Sequence, residues 1–120
     1  MAISERTVAL VLERDQHTCQ LALPGCLVVA TVADHRANRG AGGAGKTLDA
    51  PSNLVAACGL CNGRKESGAF RAELIRRGLR VASGRTHAHT AERARALPVT
   101  RLDGRAYYLK DDGSVVPADH

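Results

Sequence analysis

Tryptophan is absent from this chain of 120 residues, phenylalanine occurs once and tyrosine twice. Any core must therefore be built from Val, Leu, Ala and Ile, without the large area that aromatic rings bury. One domain is expected at this length, with a core thin enough to gain from a structural metal. Also missing is any run approaching the roughly eighteen apolar residues of a membrane span. The first residues, MAISERTVALVLERDQ, are an acidic amphipathic stretch and not a secretory leader. A cytoplasmic protein without a membrane partner is the expectation. In that reducing setting the four cysteines are expected to hold metal and not to pair as disulfides.

Acidic residues are in deficit. The formal charge is +5, but residues 71–105 alone carry nine Arg against Glu73, Glu92 and Asp103, a net of +6. The planar fork of arginine suits phosphate, so a polyanion, nucleic acid above all, is the natural partner. A solvated basic face is the plainer alternative.

Ser4 and Glu5 signal a helix start, and Val8, Val11 and Leu12 then share a face, so residues 4–15 are expected to be helical. Residues 27–32, LVVATV, have the β-branched composition of a strand that would deliver Asp34 and His35 at its end. A glycine-rich loop follows, then a second short strand at 54–57 and a helical turn or two from Gly59 to Glu66. Phe70 and Leu74 on one face imply a helix over 68–77, stopped by Gly78. Residues 83–97 lack a clear period and read as a basic linker or marginal helix. Beyond them, Asp103-Gly104 and Asp112-Gly113 punctuate a small β-meander over 98–120.

Cys58 and Cys61 have the usual zinc-knuckle spacing, whereas Cys19 and Cys26 stand wider apart. An isolated Cys-x-x-Cys is as well explained by a redox pair or two buried thiols. Two pairs flanking a polar Asp-His motif favour one structural zinc, its four ligand positions filled. Between the pairs lie groups suited to harder chemistry. His35 can take a proton from water near neutral pH. Asp34, facing the other way on an extended chain, can offer a hard carboxylate to Mg²⁺ or a similar ion. Asn62, held by the ligand before it, can add an amide oxygen, and Arg64 and Lys65 stand about one helical turn further on, within reach of phosphate. His17, His87, His89 and His120 have no such company and read as surface residues.

Taken in order, Asp34-His35, Asn53-Leu54-Val55 and Cys58-Gly59-Leu60-Cys61-Asn62-Gly63-Arg64-Lys65 resemble an HNH endonuclease of the ββα-metal fold, in its zinc-knuckle branch. The resemblance covers residues 19–66, and residues 68–77 and 98–117 are more weakly similar to the tails of small bacteriophage-encoded HNH proteins. It implies an α+β fold: a ββα-metal finger pinned by four-cysteine zinc, with flanking helices and a short C-terminal β-meander. Residues 1–82 would form the nuclease domain. His35 would be the general base, Asp34 and Asn62 the ligands of one catalytic divalent ion, and Asn53 the residue that orients the loop or His35. Cleavage would leave 5′-phosphate and 3′-hydroxyl ends. The family's last His is Asn62 here, and an amide oxygen prefers hard ions, so Mg²⁺ or Mn²⁺ is expected over Zn²⁺ or Ni²⁺. Arg36, Arg39, Lys46, Arg64 and Lys65 would contact duplex DNA of low sequence specificity. Phage terminase or packaging proteins are expected partners, in the host cytoplasm. A non-catalytic zinc-stabilised DNA-binding module, accessory to phage DNA packaging, is the alternative.

Gly40 to Thr47 also matches the nucleotide-binding pattern G-x-x-x-x-G-K-T. A true phosphate loop opens a long helix whose N-terminus faces the phosphates, and Pro51 discourages one here. A loop joining the two strands is the expectation.

Overall fold

The computed structural model describes residues 3–38 and 46–118, so Arg39, most of the glycine loop and His120 lie outside the described residues. The first helix, α1 (Glu5–Arg14), begins as its sequence implies: the Ser4 hydroxyl accepts from the Thr7 N–H, and Glu5 and Arg14 sit where their charges suit the helix dipole. Just past its end Asp15 is buried, accepting from Arg14, Arg101 and the Ala56 N–H. Burial pushes the Asp15 carboxyl up, but these donors and the Arg14 charge win and hold it below its usual range. One carboxylate thus ties α1 to the central ribbon and to the C-terminal sheet.

The central ribbon pairs β1 (Val32–His35) with β2 (Leu54–Ala57) in antiparallel register, Asp34 opposite Val55 and His35 opposite Leu54. All four β2 residues are buried. Their alternation serves two cores: Val55 and Ala57 join Leu21, Leu74, Leu79 and the cysteines, while Leu54 and Ala56 join Val11 and Ala30. Cys58 then caps α2 (Gly59–Glu66), so strand and helix meet at a cysteine.

The strand expected over 27–32 is displaced. Leu27, Val28 and Val29 are 61–63% exposed, and the strand proper starts at Val32, which places Asp34 and His35 inside it. The cause is local: the Val28 N–H turns back to Cys26 Sγ at 3.3 Å, which curls the chain around the sulfur and puts Val28 at φ 72°. Side-chain preference for a strand yields to that knuckle.

Helix α3 is shorter than expected, Arg71–Arg76, because Gly68 and Phe70 both take positive φ and delay its start. Leu74 is buried as expected, but Phe70 is 41% exposed and not on the core face. At Gly78 (φ 73°) an added Cβ would lie 2.0 Å from the Pro98 carbonyl oxygen, so only glycine allows this close passage. Within residues 83–97, His87–Ala96 form a full helix, α4, capped by the Thr86 hydroxyl. Thr90, Ala91 and Ala94 are its buried side. The meander is present as an antiparallel sheet of β3 (Val99–Thr100), β4 (Ala106–Leu109) and β5 (Val115–Pro117). Val99 and Leu109 reach the same core as Cys19, Cys58 and Cys61. The protein is a small compact α+β domain with short antiparallel sheets. No described helix is long and apolar enough to cross a membrane.

Candidate metal centre and adjoining cleft

Two turns bring the cysteine pairs together. Cys26 N–H bonds the Leu23 carbonyl across Pro24-Gly25, and Cys19 N–H bonds the Val28 carbonyl at 2.7 Å. On the other side Cys61 N–H points to Cys58 Sγ at 3.4 Å. The four sulfurs all lie within 4.8 Å of one another, with Cys26 and Cys58 4.0 Å apart. Zinc with four thiolates at about 2.3 Å would space them about 3.8 Å apart, so the cluster fits such an ion with little adjustment. Cys19, Cys58 and Cys61 are buried. Burial pushes the Cys19 and Cys61 thiols up. At Cys58 burial acts the same way, but hydrogen bonds from the Cys61 and Leu27 N–H groups and from the Cys61 and Cys19 thiols prevail and bring it down to about 6. Of these three, Cys58 is thus the sulfur most readily held as a thiolate. Among the described residues this is the one group of three or more His, Cys, Asp or Glu placed to share a metal.

Alternation along β1 sends Asp34 and His35 to different neighbours. Asp34 is buried and its Oδ2 accepts from Lys65 Nζ at 2.6 Å, an ammonium that also donates to the His35 and Leu79 carbonyls at 2.6 and 2.9 Å. Burial works against both charges, pushing the Asp34 carboxyl up and the Lys65 amine down, with each partner's charge opposing the change. Buried pairs of this kind add little net stability. What the pair does is orient the carboxylate, whose Oδ1 has no hydrogen-bond partner among the described residues. Asn62 stands one helical turn before Lys65 on α2, partly buried.

His35 turns instead to the short 3-10 turn Thr47–Asp49, where its Nε2 meets Asp49 Oδ1 at 2.7 Å. Asp49 was not nominated from the sequence; nothing distinguishes it there from other loop acids. Asn53 explains how the turn is held. Its side chain accepts from the Ala37 N–H at 2.8 Å and donates to the Ala37 and Leu48 carbonyls at 3.1 and 2.9 Å. Asn53 therefore braces both flanks of the loop and not the imidazole itself. Lys46 is exposed, and no α-helix follows it, only the turns Thr47–Asp49 and Pro51–Asn53. That is unlike a nucleotide-binding loop.

Two expected DNA contacts are corrected. Arg36 is 1% exposed, and its guanidinium donates to the carbonyls of Gly78, Ser52, Ala94 and Leu97 at 2.6–2.8 Å. Burial and the nearby Arg14 charge lower it to about 10, still cationic at neutral pH. It is a structural tie between β1, α3 and the carbonyl end of α4, and not a phosphate ligand. Arg36→Met should cost about 3 kcal/mol or more, since several buried carbonyls lose their donor. Chemical denaturation would register this as a lower midpoint at unchanged slope. Lys65 is likewise committed to its three oxygens. Arg64 is partly buried.

Asp34, His35 and Lys65 line a cleft of about 530 Å³ together with Arg71, Arg76, Arg80 and Arg93. The arginine-rich segment announced these cations, but not that the fold would place them in one cleft with Asp34 and His35. No family model, curated protein or solved structure matches this chain.

Proposed function

We propose that the chain is a metal-dependent DNA endonuclease of the HNH type, hydrolysing phosphodiester bonds with His35 as general base. The observation that carries the reading is His35 itself, placed on the wall of an arginine-lined cleft with Nε2 held by Asp49 and Asp34 beside it. In this reading β1, β2 and α2 form a ββα-metal finger, and the four cysteines hold a structural zinc. With Nε2 donating to Asp49, Nδ1 carries the lone pair that takes a proton from water, and Asp49 stabilises the imidazolium that results. Asp34 Oδ1 and the Asn62 amide oxygen would hold a Mg²⁺ or Mn²⁺ ion, which supplies positive charge to the phosphate and the departing 3′ oxygen. Lys65 keeps the Asp34 carboxylate in one orientation. The products are 5′-phosphate and 3′-hydroxyl ends.

One observation favours a second reading, a non-catalytic zinc-stabilised DNA-binding module that would serve phage DNA packaging. The Lys65 ammonium already neutralises Asp34, which lessens the pull of that carboxylate on a further cation. Plasmid cleavage decides between them. It should require Mg²⁺ or Mn²⁺ and fall at least about 10²-fold in Asp34→Ala; equal cleavage by this variant and the wild type would defeat the catalytic assignment. Asp49→Asn should lower kcat about 10²-fold with KM for DNA unchanged. A rise in KM alone would instead make Asp49 a binding group.

A further inference from the structure

We infer that the cleft between β1, α3 and α4 seats the phosphodiester backbone flanking the scissile bond, with Arg71, Arg80 and Arg93 as its phosphate ligands. The inference rests on the DNA reading above and extends it to residues outside the HNH-like segment. Charge balance is the first support. Asp34 is neutralised by Lys65, and Arg76 pairs with Glu73. Arg71, Arg80 and Arg93 have no acidic partner among the described residues, and Glu66 is the one remaining acid on the cleft wall. Three arginines without counter-charge facing one concave surface repel each other, and an anion between them removes that cost.

Unused hydrogen-bonding capacity is the second support. Among the described residues Arg80 donates one bond, to the Lys65 carbonyl at 2.6 Å, while its buried Nε has no partner. The side chain as a whole is only half-buried on the cleft wall, so the ends of its guanidinium can turn to a phosphate oxygen. Arg93 is steadied through Nε by the Ala82 carbonyl at 3.0 Å, with no further bond from its guanidinium among the described residues. Arg71 is exposed at the start of α3. The volume of about 530 Å³ falls within the range of about 300–1,000 Å³ usual for ligand sites. The cleft adjoins Asp34 and His35, so a strand lying in it passes the proposed base.

Binding of a fluorescent duplex without divalent ions separates this proposal from catalysis, because the wild-type protein cannot cleave under those conditions. Each lost phosphate contact lowers the slope of log affinity against log salt by about 0.9. The double variant Arg71→Ala with Arg93→Ala should flatten the slope by about 1.8 and weaken binding at least tenfold at low salt. Arg6→Ala with Arg105→Ala removes the same charge from exposed positions outside the cleft, and should change the slope by less than one contact. Equal losses in the two doubles, or no binding by the wild type, would overturn the cleft assignment. Cleft-dependent binding with no cleavage after Mg²⁺ or Mn²⁺ is added would uphold it while sinking the nuclease reading.

Discussion

His35→Ala is expected to reduce DNA cleavage by about 10²–10⁴-fold, the usual contribution of a positioned general base, while the protein stays folded and still binds DNA. The fold should survive because the imidazole is 20% exposed and lies outside the buried clusters. Asp49, its one side-chain partner among the described residues, keeps some access to solvent and can rehydrate. The neighbouring position behaves differently. Asp34 is buried against a lysine, so its removal strands the Lys65 ammonium and should cost stability as well as activity. Single-turnover rates and melting temperatures measured together therefore distinguish the two. A His35→Ala protein with wild-type cleavage would remove the base from the mechanism, and one that fails to fold would make its role structural.

Removing zinc is expected to unfold the domain. Apparent binding free energies for structural zinc reach about 10–16 kcal/mol, against a whole-domain stability of about 5–15 kcal/mol. The cysteines are not peripheral here. Cys19, Cys58 and Cys61 are members of the main core, packed with Leu21, Leu74, Val99 and Leu109. Without an ion their crowded sulfurs sit in a poor apolar cluster in a chain that has no tryptophan to fill it. Chelation, or Cys58→Ser with Cys61→Ser, should abolish the cooperative melt and near-native circular dichroism, and elemental analysis of native protein should give about one zinc per chain. A metal-free sample melting at the native temperature would overturn the zinc assignment.

Local signals were legible where local physics decides. Ser4 before Glu5 and Gly78 after α3 act through bonds within a few residues, and both stand where the sequence implied. Arg36 shows why the remainder was not. Its four acceptors lie at residues 52, 78, 94 and 97, and a charged residue beside a glycine loop reads as surface until those carbonyls converge. Lys65 is the same case on a helix face. Residues 27–29 failed in the other direction, because a hydrogen bond to a cysteine sulfur overrode their strand preference. Helix α4 read no more firmly than a basic linker or marginal helix because its buried side consists of Thr90, Ala91 and Ala94, too small to leave a hydrophobic period. The candidate site divides likewise. The cysteine cluster was readable from spacing, whereas Asp49 and the cleft arginines meet Asp34 and His35 only through tertiary folding.

Incubating zinc-loaded protein with supercoiled plasmid and Mg²⁺ or Mn²⁺, then treating the products with DNA ligase, examines strand cleavage and its end chemistry together. Ion-dependent nicks or breaks that the ligase reseals without prior phosphorylation are the expected result, since the ends carry 5′-phosphate and 3′-hydroxyl groups. Plasmid left intact with both ions, at protein concentrations that bind it, would rule out the endonuclease.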